Sequence, residues 1–220
     1  MKNLILVASI LLNIVLISYK VVNSISERQK PPTINTVTYT LNRNELYKYL
    51  PINSDDDVFI GDSQFQFFDI AEFFKLNNLK NRGIMGDVTV GLYKRLPDIV
   101  KSSPKKVFIE IGVNDIIKNI PSDTSIYYYD HIVSSIRSNC PNTLIYVLSV
   151  LPSNAVNNKL IDNFNRRLHR LSKNKNTLFI NLTAAFSVNG HLNSKFDCGD
   201  GLHLTGPGYL LLTSILRPYL

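Results

Sequence analysis

The stretch Val58-Phe59-Ile60-Gly61-Asp62-Ser63 lies between a polar run, Asn53 to Asp57, and an apolar, helix-like segment from Phe65 to Leu76. Its three apolar residues are β-formers and read as a buried strand, which makes Gly-Asp-Ser a strand-to-helix turn with a serine at its tip. In open α/β sheets ligands sit at the carboxyl ends of the strands, so a hydroxyl placed there faces the crevice where chemistry happens. Gly61 lets the chain turn tightly, and the free N–H groups at the start of the helix favour a developing negative charge. The tripeptide alone leaves a plainer reading open, in which Asp62 or Ser63 only caps the helix.

Downstream, the same unit recurs. Leu79 to Ile84 reads as a second strand, followed by Gly86-Asp87 and a helix from Val88 to about Leu96 that ends near Pro97. Val107 to Gly112 is a third strand, and a helix from about Asp123 to Asn139 follows it, with Ser122 or Asp123 as its cap. Thr143 to Val150 is an almost unbroken apolar strand stopped by Pro152. Leu160, Phe164, Leu168 and Leu171 then repeat at helical spacing with Arg166, Arg167 and Arg170 among them, giving a basic solvated face and an apolar face for the sheet. Leu178-Phe179-Ile180 is the fifth strand, and a loop from Ser187 to Gly201 leads to His203 and a final helix from about Gly206 to Leu216. Short apolar strands alternating with helices belong to a parallel sheet covered on both faces, so the expected fold is a three-layer α/β sandwich.

With 220 residues, 45% of them hydrophobic, the chain can bury one sizeable core. Lys plus Arg number 24 against 17 for Asp plus Glu, but the +7 charge is spread along the chain. Such a surface suits an anionic envelope or membrane, and no nucleic-acid motif accompanies it. Two cysteines, Cys140 and Cys198, make neither a disulfide framework nor a zinc site, and their placement at opposite sheet edges predicts two free thiols. At the N-terminus Lys2 precedes an apolar run of 14 residues, Leu4 to Ile17. That length fits a signal-peptide core and falls short of the roughly 20 residues that comfortably span a bilayer. Val22-Asn23-Ser24 is the nearest approach to a cleavage site, so cleaved leader and uncleaved signal anchor both stay open. Residues 1–21 are therefore expected to direct export, 22–54 to form a polar linker or stalk with at most a short helix over Asn44 to Leu50, and 55–220 to form the domain.

Three further stretches follow strands and should gather on the edge that carries Ser63: Asn81 to Asp87, Gly112-Val113-Asn114-Asp115, and Asp200-Gly201-Leu202-His203. A serine needs a base to take its proton, and a histidine serves best when a carboxylate holds its other ring nitrogen. Asp200 and His203 supply that pair from one loop. An oxyanion then needs donors, and the Ser63 N–H, the Gly86 N–H and the Asn114 side-chain amide can converge from three strand ends. These blocks resemble the SGNH hydrolases, the GDSL-type esterases and lipases, in the order Gly61-Asp62-Ser63, Gly86, Gly112-Val113-Asn114-Asp115 and Asp200 to His203. The resemblance covers roughly Asp57 to Leu220. It implies a flavodoxin-like, five-stranded parallel sheet, acyl-serine chemistry without cofactor or metal, a Ser63–His203–Asp200 triad, and an oxyanion hole from Ser63, Gly86 and Asn114. One departure is that Gln64 replaces the aliphatic residue usual after Gly-Asp-Ser.

Other residues take plainer readings. His131 and His169 lie in helices and His191 in a loop, Asp197 is spaced less favourably from His203 than Asp200, and Asp55-Asp56-Asp57 reads as a solvated turn and not as a metal cluster. Tyr127, Tyr128 and Tyr129 are consecutive on a helix and point different ways, so packing accounts for most of them. The expected activity is an exported ester hydrolase removing a small acyl group, acetyl first, from a carbohydrate-type substrate, with no obligate protein partner. Lysophospholipase or thioesterase action, with Phe65, Phe67, Phe68, Phe73 and Phe74 lining an acyl groove, is the alternative. Envelope O-acyl transfer by the same triad and non-catalytic envelope binding are the rivals.

Overall fold

The computed structural model describes residues 36–220. The run from Leu4 to Ile17, with its leader and anchor readings, lies outside the described residues, as does the front of the 22–54 segment. Among the described residues no helix is long and apolar enough to cross a membrane.

Five strands, β1 (Asp57–Gly61), β2 (Leu79–Gly83), β3 (Lys106–Glu110), β4 (Leu144–Leu148) and β5 (Leu178–Ile180), form one sheet in the order β2-β1-β3-β4-β5. Every pairing is parallel. Side chains alternate faces along a strand, and the sequence places large apolar groups at both parities. Val58, Ile60, Val107, Ile109, Ile145 and Val147 therefore enter one core layer, whereas Phe59, Phe108, Tyr146 and Leu148 enter the other. The register pairs Phe59 with Phe108 and Phe108 with Tyr146. Their rings stack across the sheet at centroid separations of 4.5 Å in both pairs. Burying such a side chain contributes about 1.5–3 kcal/mol, and a slip of one residue would send all of them to the wrong layer.

The first layer is closed by helices α4 (Thr89–Arg95), α5 (Pro97–Val100), α7 (Ser122–Asn139) and α8 (Asn158–Asn174), whose Leu92, Ile99, Ile132, Ile136, Phe164 and Leu168 are buried on it. The second is closed by α2 (Ser63–Gln66), α3 (Ile70–Phe74) and α10 (Gly206–Leu216) through Phe65, Phe74, Tyr209, Leu212 and Leu216, with Phe68 added from the turn between α2 and α3. The three-layer expectation and the five strands hold. Strand order reverses direction at β1, so the C-terminal ends of β2, β1 and β3 meet at the switch point where α/β sheets bind ligands.

Several local expectations differ from the structure. The helix expected over 65–76 is two short helices with a break at 67–69, because the Asn81 amide donates to the carbonyls of Phe65 and Phe68, and Phe68 turns into the core. Ser122 does not cap α7; its hydroxyl accepts Arg167 Nη1 at 2.9 Å while Asp123 pairs with Arg167 Nη2, tying α7 to α8. The polar segment before β1 contains a full helix, α1 (Thr36–Lys48), and its Tyr47 hydroxyl donates to the Gly83 carbonyl at 2.7 Å. Asp56 and Asp57 are not solvated: Lys80 and Lys106 pair with them at 3.5 and 3.2 Å, and both carboxylates are buried. A two-stranded ribbon, β6 (Ser187–Val188) with β7 (His191–Leu192), interrupts the loop after the fifth strand.

Candidate active site

The sheet's carboxyl edge is assembled from the backbone outward. Gly61 ends β1 where it must pass the neighbouring strand closely, since a Cβ there would lie 1.8 Å from the Glu110 carbonyl oxygen. Asp62 caps α2, its Oδ1 accepting the Gln64 N–H at 3.0 Å. The capping reading thus applies to Asp62 and leaves the Ser63 hydroxyl available at the first helical position. That hydroxyl lies 2.9 Å from His203 Nε2, and His203 Nδ1 lies 2.5 Å from Asp200 Oδ2. With the Nδ1 proton donated to Asp200, Nε2 is the acceptor that faces the serine.

Asp200 is held from several sides. Its Oδ1 accepts the N–H groups of Leu202 at 2.9 Å and His203 at 2.8 Å. Partial burial works to raise its carboxyl, but the His203 and Leu202 donors outweigh that and hold it well below the ordinary carboxylate range. A carboxylate that stays ionised at neutral pH suits a group that orients an imidazole. Asp197, the other candidate orienter, shapes the loop instead: its Oδ1 accepts the N–H groups of Gly199 and Gly201, and its Oδ2 accepts the Asn154 amide. Cys198, Asp200 and His203 place ligand atoms within 4.8 Å of one another, so a cation there would compete for the groups that orient the ring. Both cysteines are free thiols, Cys140 buried and Cys198 exposed.

The expected oxyanion donors sit at three adjacent strand ends. Ser63 follows β1, Gly86 follows β2 with φ +74°, and Asn114 opens helix α6 (Val113–Ile117) after β3. Asn114 is buried, and its Nδ2 has no hydrogen-bond partner among the described residues. An amide left unpaired inside a protein costs free energy, which makes this one a donor awaiting an acceptor. Asp115 beside it is occupied structurally, accepting from the Thr89 N–H, the Thr89 hydroxyl and the Ser125 hydroxyl. His131, His169 and His191 stand on α7, α8 and β7, outside this constellation.

Some contributors carry no sequence signal. Arg95, on α4, donates to Asp87 at 2.8 Å, to the Arg82 carbonyl at 2.8 Å and to the Gly61 carbonyl at 3.0 Å, fastening the ends of β1 and β2 to the turn after Gly86. Lys118 donates to the Gly86 carbonyl at 2.6 Å. No motif announces either, because each acts through carbonyls that only folding brings near. Phe67 is 45% exposed and sets its ring at 70° to that of His203, with centroids 5.2 Å apart.

Beside Ser63 lies a buried acid pair, Asp62 and Glu110. Asp62 Oδ2 and both Glu110 carboxyl oxygens receive no hydrogen bond from outside the pair among the described residues, and the two carboxyls interact with each other. Burial, followed by neighbouring acids, pushes the Asp62 carboxyl up to about 7, and burial and Asp62 push Glu110 well above the usual range. With both carboxyls raised, a proton held between them lets one group donate to the other. The folded state then keeps protons that the unfolded chain releases above its ordinary carboxyl pKa, so this pair's contribution to stability is lost as pH rises through the folded values. Glu110→Gln is expected to flatten the decline in Tm between pH 5 and pH 8; a parallel decline in both proteins would show that the pair is not protonated.

Residues 69–211 match the model of the GDSL-like Lipase/Acylhydrolase family, a match that begins just after the Ser63 block. No curated protein matches the chain. Among solved structures, a candidate platelet activating factor from Streptococcus pneumonia is 26% identical, with 83% of this chain and 93% of that chain covered and a TM-score of 0.77. A GDSL-like lipase from Bacteroides thetaiotaomicron is 23% identical over 84% and 96% of the two chains, with a TM-score of 0.71. An acetylxylan esterase from Geobacillus stearothermophilus, solved as a catalytic mutant, shares the fold at 18% identity, coverage of 75% and 94%, and a TM-score of 0.61. A family match spanning well over half of the residues, on a sheet of the same design, means that the chain belongs to the GDSL-like lipases and acylhydrolases, the SGNH hydrolases, and is a carboxylic ester hydrolase.

Proposed function

We propose that the chain hydrolyses esters of small acyl groups, acetyl first, on carbohydrate-type alcohols through an acyl-serine intermediate. The observation that carries the chemistry is the unbroken chain of hydrogen bonds from Ser63 Oγ through the His203 ring to Asp200. Ser63 attacks the acyl carbonyl as His203 Nε2 takes its proton, and Asp200 stabilises the imidazolium that forms. The tetrahedral oxyanion accepts hydrogen bonds from the Ser63 and Gly86 N–H groups and from the Asn114 amide. Collapse breaks the bond to the alcohol, which leaves with the proton from His203. Water then attacks the acyl-serine, gives its proton to His203, and the acid departs as Ser63 regains its hydrogen.

The preference for a small acyl group rests on where the phenylalanines go. A long-chain groove built on Phe65, Phe68 and Phe74 is not open, because all three are buried in the core layer. Phe67 alone of the Phe65–Phe68 run is exposed, beside His203, where its face suits a sugar ring. The links from β1 to Ser63 and from β3 to Asn114 are also too short to form a lid over a lipid tail. The acetylxylan esterase named above acts on an acetylated sugar polymer in the same fold.

A nitrophenyl ester series run beside acetylated sugars tests this. Acetyl esters should be turned over at least about tenfold faster than octanoyl esters, since each methylene placed outside an apolar pocket gains nothing. A rate rising with chain length would favour the lysophospholipase reading, and acyl transfer to added sugar exceeding hydrolysis would favour an O-acyltransferase. The apolar run from Leu4 to Ile17 supports export or anchoring outside the cytoplasm; retention of the full-length chain in the cytosolic fraction would remove that part of the reading.

A further inference from the structure

Gln64, the residue that departs from the family's usual pattern, is 2% exposed. Its Nε2 donates to the Leu202 carbonyl at 2.7 Å. Its main-chain N–H donates to Asp62, and its carbonyl accepts the Tyr209 hydroxyl at 3.2 Å, so the residue is held at both ends before its side chain reaches the loop. Leu202 immediately precedes His203. Besides the His203–Ser63 hydrogen bond itself, the loop is tied to the segment after β4, where the Gly201 carbonyl accepts Ser153 Oγ at 2.7 Å and the Asn154 N–H at 2.6 Å. Two residues on, Gln66 Oε1 accepts the Met85 N–H at 2.8 Å, next to Gly86. The short helix that carries Ser63 thus sends one glutamine to the loop that bears the base and another to the turn that bears an oxyanion donor.

We propose that Gln64 is a positioning residue that sets the separation of Ser63 Oγ and His203 Nε2 by fastening the Leu202 carbonyl to the nucleophile helix. An aliphatic side chain of the same size would fill the space and drop the tie. The loop would then keep Asp200 and His203 together, because both travel on it, while their alignment with Ser63 slackened. Proton transfer from the serine is steeply sensitive to that alignment. The inference rests on the proposed acyl-serine mechanism.

Gln64→Leu and Gln64→Met are compared with the wild type and Ser63→Ala using nitrophenyl acetate, with Tm, the pH profile of kcat/KM and the rate of fluorophosphonate labelling as readouts. Both Gln64 variants should lose between about 10- and 100-fold in kcat and in labelling rate, with KM within about twofold. The acid limb of the pH profile should stay where it is, since the Asp200–His203 pair is untouched. Wild-type kcat in either folded variant, a displaced acid limb, or a rise in KM matching the loss in kcat/KM would overturn the assignment. So would failure of both variants to fold, which would make Gln64 a requirement of the fold. Activity in Ser63→Ala would instead reject the mechanism itself; an inactive Ser63→Ala beside a fully active Gln64→Leu would reject only the positioning role.

Discussion

Ser63→Ala is expected to lower kcat/KM toward acetyl esters by about 10⁴-fold or more, with Tm close to that of the wild type. In the proposed mechanism the hydroxyl is the atom that attacks, and water brought in by the remaining donors replaces it poorly. Folding should tolerate the change, because Asp62 supplies the helix cap and the serine side chain's hydrogen bond is to His203 alone among the described residues. Steady-state kinetics with a differential scan on the same preparation check both halves. A loss below about tenfold would place the nucleophile elsewhere, since no general-base role for Ser63 accounts for full activity without it.

Asn114→Ala is expected to lower kcat by about 10²–10³-fold while leaving KM nearly unchanged, the pattern of a donor engaged in the transition state. Its stability effect should be small or favourable. The Nδ2 group is buried without a partner among the described residues, so truncation removes an unsatisfied donor and breaks no existing side-chain bond to it. Asn165 is the contrasting case within the same protein. Its amide is also buried, but Oδ1 accepts the Val150 N–H and Nδ2 donates to the Val150 carbonyl, both at 2.8 Å. Asn165→Ala should therefore cost stability, by about 1–3 kcal/mol, and affect kcat far less. If Asn114→Ala lost stability in proportion to activity, the amide would be a packing group and the oxyanion assignment would fail.

Much of this site could be read along the chain because its residues sit at strand ends, and strand ends are marked by the change from an apolar run to glycine, asparagine or aspartate. The fifth strand at Leu178–Ile180 and the final helix at Gly206–Leu216 fall where periodicity puts them. Asp200 and His203 could be paired because they stand three positions apart on one loop. Helix boundaries fared worse wherever a distant side chain intervened. Asn81 takes carbonyls that a continuous helix after Ser63 would have kept, and Arg167 occupies Ser122 and Asp123, the two residues expected to cap α7.

The buried aspartates show the same limit. A run of three acids reads as solvent-facing, yet Lys80 on β2 and Lys106 on β3 are brought beside Asp56 and Asp57 by the parallel register. Charge pairing across strands has no one-dimensional signature.

By itself the sequence determined the layered sheet and the strand ends at which Ser63, Gly86 and Asn114 stand, because apolar patterning fixes which residues leave water and turn-forming residues fix where strands end, and both signals are local along the chain. Only the tertiary structure decided that Gln64 is bonded to the loop of His203, that Asp62 and Glu110 are both buried without an outside donor among the described residues, that Arg95 and Lys118 fasten the turn around Gly86, and that Phe67 alone of Phe65 to Phe68 stays exposed, beside His203. Each of these depends on contacts between segments far apart in the chain, and their distances are set by how the layers pack.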